Sequence, residues 1–131
     1  MLQEGSVSEH RFPRLIVDGA EGTRFDLVTI TASSQQFAPP AMLFSVSTLE
    51  PATQCGFLHL PVGWVGEQHP SPIRMWIYVL EGQMDFESSD GDVRRIVPGS
   101  ALLLEDTTGR GHSSRVVGDS PVTLAAVRLP E

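Results

Sequence analysis

Lysine does not occur in this sequence: all nine basic residues are arginine, set against sixteen Asp and Glu, for a formal net charge of −7. An acidic surface repels phosphate backbones, which argues against a nucleic-acid partner. Cysteine is used once, at Cys55, so no intramolecular disulfide can form and nothing calls for an oxidising compartment. Beside the apolar run that begins at Phe57, Cys55 is expected to be a buried, inert thiol. No apolar run approaches the ~20 residues of a membrane span. Leu2, Gln3, Glu4 and Gly5 offer neither the basic nor the apolar part of a secretion signal. The expectation is a cytoplasmic protein with no membrane partner. A Gly-x-Ser-x-Gly elbow, a phosphate loop, a dinucleotide fingerprint and a CxxC pair are all missing, and the mechanisms they serve have no support.

What is present suits one small β domain spanning residues 1–131. Hydrophobic residues make up 40% of the chain, enough for a core, and the twelve Gly and ten Pro are scattered rather than bunched. Scattered turn-formers fit many short strands and not a helical bundle. Residues 1–24 read as a polar N-terminal arm. Alternation then predicts strands over 25–31, 42–49 and 57–60. Residues 75–80 (MWIYVL) are apolar at every position, as in a strand covered on both sides. Further strands are expected over 83–87, 93–97, 101–104, 112–117 and 122–129. Turn signals at Gly82, Asp90-Gly91, Pro98-Gly99 and Gly118 to Pro121 separate them. Patterning alone leaves an immunoglobulin-like sandwich and a jelly-roll barrel equally open.

Residues 63–117 favour the second. Gly63, His69 and Gly82 stand at the spacing of Gly-x5-His-x-His-x3-Glu-x6-Gly, and Gly109-Arg110-Gly111-His112 ends a second motif that starts at Gly99. This region resembles the cupin family, and the resemblance implies an all-β double-stranded β-helix, or jelly-roll barrel, usually a homodimer. In metal-binding cupins, two His and a Glu of the first motif join one His of the second around a divalent ion. Here Ser71 replaces the second His and Met75 the Glu. The second motif is also two residues longer than the family's, with Glu105 at its usual Pro position.

By strand alternation, His69, Ser71, Met75, Ile77 and Val79 share the barrel interior, while Trp76, Tyr78 and Leu80 face outward. His112, Ser114 and Val116 also point in. The expected cavity is mostly apolar, with two imidazoles, suited to a small-molecule ligand. Trp64, Gln68, Ser71, Met75, Ile77, Asp106 and Arg110 are its candidate ligand contacts. Asp106 is placed to orient His112, and Arg110 to meet a substrate carboxylate. His69 and His112 are candidate acid–base groups, since imidazole titrates at ~6.5. The alternative is a metal-dependent oxygenase or isomerase acting on a small organic acid or sugar-like substrate. It would hold Fe, Mn, Ni or Zn with His69, His112 and a recruited His59, Glu105 or Asp106.

Overall fold

In the computed structural model, which describes residues 7–131, eleven strands and no helix make up the regular structure. Among these residues no helix is long and apolar enough to cross a membrane. β1 (Val7–Asp18), β2 (Gly22–Gln35), β3 (Phe44–Ser47), β4 (Gln54–Leu60), β6 (Met75–Glu81), β9 (Ala101–Leu104) and β11 (Val122–Arg128) form one sheet, in the order β3-β2-β1-β9-β6-β11-β4. β5 (Val65–His69), β7 (Gln83–Ser88), β8 (Val93–Ile96) and β10 (His112–Val117) form the other, in the order β5-β10-β7-β8. From β4 to β11 the chain changes sheet at every connection except the β7–β8 hairpin. That alternation is the double-stranded β-helix, and the fold is the expected all-β jelly-roll barrel.

Period-two patterning fills the space between the sheets. Ile77 and Val79 of β6, Leu102 and Leu104 of β9 and Leu124 of β11 meet Met84 and Phe86 of β7, Ile96 of β8 and Val116 of β10. The alternate residues of the same strands face the other way. Trp76, Ala101 and Leu103 form a second apolar cluster with Leu129, flanked by Phe12, Val28, Ile30 and Val127. β9 is therefore buried on both faces, and the uninterrupted Ala101–Leu104 run has its explanation.

Two strands have no counterpart in the sequence expectation, and β2 extends beyond the expected 25–31 at both ends. Val7–Asp18, inside the stretch read as an arm, pairs with β2 along its whole length and places Leu15 in the core with no exposed surface. Pro13 is tolerated because β9 pairs with β1 only at Arg14 and Leu15. β5 carries Gly66, Glu67 and Gln68 and shows no strand pattern in the sequence. Cys55 is not the buried thiol expected from its apolar neighbours: it is exposed on β4, an edge strand of the large sheet. Every residue of β4 from Gln54 to His59 is exposed, and the strand reaches the core only at Leu60.

On the outer face of the small sheet, Asp85 is buried between Arg95 and Arg115, at 2.9 Å and 3.2 Å. The hydrogen bond from Arg95 and the charges of both guanidinium groups hold its carboxyl below the usual range, against the opposing effect of burial. A lowered native pKa stabilises the fold above the unfolded value of about 4, and this stabilisation is lost as pH falls through the native value. Asp85→Asn should therefore unfold at lower denaturant than the wild type at neutral pH, and the difference should shrink below about pH 4. Denaturant midpoints across pH check this; a gap that persists undiminished in acid contradicts it.

Candidate functional site

The first-motif and second-motif histidines meet because β5 and β10 are neighbours. His112 pairs with His69 in the antiparallel register, and the rings lie 5.1 Å apart between centroids. The register shifts between His112 and Ser114, so that β5 spends three residues, from Gly66 to His69, where β10 spends two. Such a bulge re-aims side chains; it brings both Gly66 and His69 opposite the inward residues of β10. Phe86 flanks His112 from the other side, at 5.7 Å between ring centroids.

Close approach at this crossing demands glycine. Gly111 has φ +73°, and a Cβ there would overlap the backbone carbonyl of His69. At Gly66 a Cβ would run into the Trp64 ring, which lies over it and packs against the inner core.

The segment from Glu105 to Gly111 is pinned on several sides. Glu105 N–H donates to the Leu15 carbonyl at 2.9 Å, Ser71 N–H to the Asp106 carbonyl at 2.9 Å, and Arg110 N–H to the Glu21 carbonyl at 2.8 Å. Thr23, buried, donates its hydroxyl to the Gly111 carbonyl at 2.7 Å and accepts from the Ser89 N–H at 2.8 Å. Neither Thr23 nor Ser89 was identified as a site residue from the sequence: Thr23 lies in the stretch read as an arm, and no local motif marks it.

Held in this way, Asp106 continues the alternation of β9 inward. It is completely buried, and its Oδ2 lies 2.6 Å from His112 Nδ1. An ionised carboxylate only accepts, so Nδ1 donates and Nε2 is left for another partner. The second carboxylate oxygen, Oδ1, has no hydrogen-bond partner among the described residues. His69, on the exposed side of the pair, has its own Nδ1 2.6 Å from the Glu67 carbonyl. Its Nε2 is likewise the free nitrogen.

The remaining candidates scatter. Ser71 is buried and turns its hydroxyl to the Ile73 carbonyl at 2.6 Å. Ile77 is part of the packed inner core, with Met75 partly buried against it. Gln68 and Arg110 are exposed. Glu105 points to the opposite face from Asp106, as successive residues of an extended chain must, and there binds Arg74 at 2.8 Å and Arg14 at 3.4 Å. His59 is exposed on β4, out of phase with the inward-facing Leu60. Two expected replacements for the lost metal ligands, Glu105 and His59, thus lie off the inner face.

Among the described residues no three His, Cys, Asp or Glu are grouped to hold a metal ion. The donors at this site are two imidazoles, with Ser71 committed to a backbone carbonyl and Asp106 to His112. That set falls short of the three protein ligands a catalytic metal normally takes, and it does not fit the ion that the family resemblance implies. A groove of about 670 Å³ lies elsewhere, on the outer face of the large sheet.

No family model and no curated protein matches the sequence. Solved structures similar to the chain include the cupin domain of Schizosaccharomyces pombe Cnp3, 13% identical, with a TM-score of 0.48 over 92% of this chain and 88% of that one. A sugar phosphate isomerase from a cupin superfamily, from Silicibacter pomeroyi, is 21% identical, with a TM-score of 0.38 over 77% of this chain and 59% of that one. An RmlC-like cupin protein from Desulfovibrio desulfuricans is 18% identical, with a TM-score of 0.35 over 89% and 81%.

Gly111→Ala should cost more than the roughly 1–2 kcal/mol of left-handed backbone strain, because β5 must also move away from β10. Urea unfolding measures the cost, and the His69 ring resonances should shift. A variant of wild-type stability with unmoved His69 resonances contradicts the close approach.

Proposed function

We propose that the chain binds a small organic molecule at the end of the barrel where His69 and His112 meet, and that His112 exchanges a proton with it without the help of a metal. The observation that carries this reading is the buried 2.6 Å hydrogen bond between Asp106 and His112. It selects one imidazole tautomer, presents Nε2 as the proton acceptor and places a carboxylate where it stabilises the imidazolium once formed. His69, 5.1 Å away between ring centroids and more exposed, is the second polar contact for the ligand. The proposal includes a cytoplasmic homodimer as the working state.

The metal-dependent alternative draws on one feature, that both rings engage oxygen acceptors through Nδ1, as metal-binding histidines usually do. It lacks a third donor. The two readings separate in a thermal-shift screen of small organic acids and sugar-like compounds, run in chelator and again with added Fe, Mn, Ni or Zn. A native-state ligand at roughly 100 times its Kd adds about 2.7 kcal/mol. Stabilisation that persists in chelator and is lost in His112→Ala is expected. Stabilisation seen only with added metal contradicts the metal-free reading.

Asp106→Asn supplies a finer test, because the amide can donate to Nδ1 and so reverse the tautomer. A hydrogen bond to a charged group is worth about 1.5–3 kcal/mol, which is roughly 10–100-fold in affinity. Ligand affinity, followed by titration calorimetry, should fall by about that factor while the melting temperature of the free protein changes less than in Gly111→Ala. Unchanged affinity removes Asp106 from the account.

A further inference from the structure

A strand at the edge of a sheet offers a row of unpaired N–H and C=O groups, and soluble proteins guard such edges by shortness, charge, proline or a bulge. Among the described residues the two sheets have four edges: β3 and β4 in the large sheet, β5 and β8 in the small one. β3 is only four residues long. β5 carries Glu67 and is paired across a bulge, and β8 carries Arg94 and Arg95. β4 has none of these guards. Its seven residues, Gln54–Leu60, include neither charge nor proline and pair with β11 without a register shift. Phe57, at its midpoint, is 78% exposed, and Leu58 beside it is 46% exposed.

Charge narrows what can cover this edge. With a net charge of −7, two copies of the chain repel each other wherever acidic faces meet. Residues 51–66, which contain β4 and its flanks, hold no Asp, Glu or Arg. A second copy meets least repulsion there, and a charged partner finds nothing to pair with. Gly56 supplies the second observation. Its backbone is not left-handed, and a Cβ built on it would meet nothing within 4 Å in its own chain. The fold of one chain therefore does not require glycine at this position. Glycine inside a strand also marks the places where another backbone comes close.

An antiparallel two-fold axis at Phe57 is the register that pairs all seven residues of β4 with their copies. It sets Phe57 against Phe57 and Cys55 against His59. It also sets Leu58 of each copy against Gly56 of the other, where the missing side chain makes room for it. The edge is about 24 Å long and, with side chains on both faces, roughly 20 Å deep. Pairing then covers about 500 Å² on each copy, or about 1,000 Å² in all, which is where specific interfaces begin.

We infer that two copies of this chain join through β4, antiparallel about Phe57, so that their seven-stranded sheets become one continuous sheet. This gives the homodimer of the preceding section its surface, and it involves neither His69 nor His112. Sedimentation equilibrium of the whole chain at micromolar concentration should return twice the chain mass of 14.2 kDa. Phe57→Lys sets like charges opposite each other and should weaken the dimer by roughly 100-fold or more. Thiol cross-linking reads the register. Directly opposed residues have Cα atoms about 4.5 or 5.5 Å apart, within disulfide reach. His59→Cys places a thiol opposite Cys55 and should cross-link rapidly under mild oxidation. The wild type should not, because its two Cys55 residues stand four positions out of register, about 13 Å apart. This comparison holds whether or not Phe57→Lys folds. A monomeric wild type overturns both the surface and the homodimer, and leaves the edge to an extended segment of another protein. A dimer that Phe57→Lys does not weaken, or a His59→Cys chain that cross-links no faster than the wild type, overturns the β4 surface alone.

Discussion

A carboxylate enclosed in an apolar barrel is tolerated only with a partner, and Asp106 has one, the Nδ1 of His112. The surrounding construction follows from keeping that pair together. Asp106 is delivered inward by β9, which cannot slip because Leu102 and Leu104 are set in the inner core and Ala101 and Leu103 in the outer cluster. His112 is delivered by β10 after a segment pinned to Leu15, Ser71, Glu21 and Thr23. A one-residue slip in either strand would turn one partner out of the barrel. Gly111 is needed so that the crossing can be close enough for His69 to join them.

The same alternation divides the chemistry of adjacent residues. Glu105 and Asp106 are neighbours in the chain and serve opposite faces of one sheet: Asp106 orients an imidazole, and Glu105 ties together Arg14 and Arg74. The inner face thus holds the buried His112 and Asp106, with His69 at their exposed side. The outer face holds an aromatic floor and a mixed-charge cluster. Tyr78, stacked on Trp76 at that outer face, has its hydroxyl pushed to a higher pKa by burial and by the Glu50 carboxylate.

The second half of the chain was the legible half. From Met75 to Arg128, turn residues stand at each junction and alternation marks each inner face, so the expected strands match the observed ones to within a residue or two. β1 was hidden because its polar residues and Pro13 mimic an arm; only pairing with β2 makes it a strand. β5 was hidden because a bulge breaks its period. Cys55 was misjudged because sequence shows an apolar neighbourhood but not which strand lies at an edge. The His69–His112 pairing and the orienting role open to Asp106 were readable from the motif residues. The separation of Asp106 from Glu105 was not, because it depends on where β9 ends, and no turn-former marks that point. Thr23 and Ser89 act through contacts 66 and 88 residues away in sequence, which no local pattern encodes.

The central claim is that Asp106 fixes the tautomer of His112, and imidazole nitrogen shifts read that directly. Long-range proton–nitrogen correlation at about pH 8.5, above the ordinary histidine range, should show the His112 proton on Nδ1 and a pyridine-type Nε2. A proton on Nε2 instead would mean that the carboxylate does not orient the ring, and the acid–base reading would fall with it.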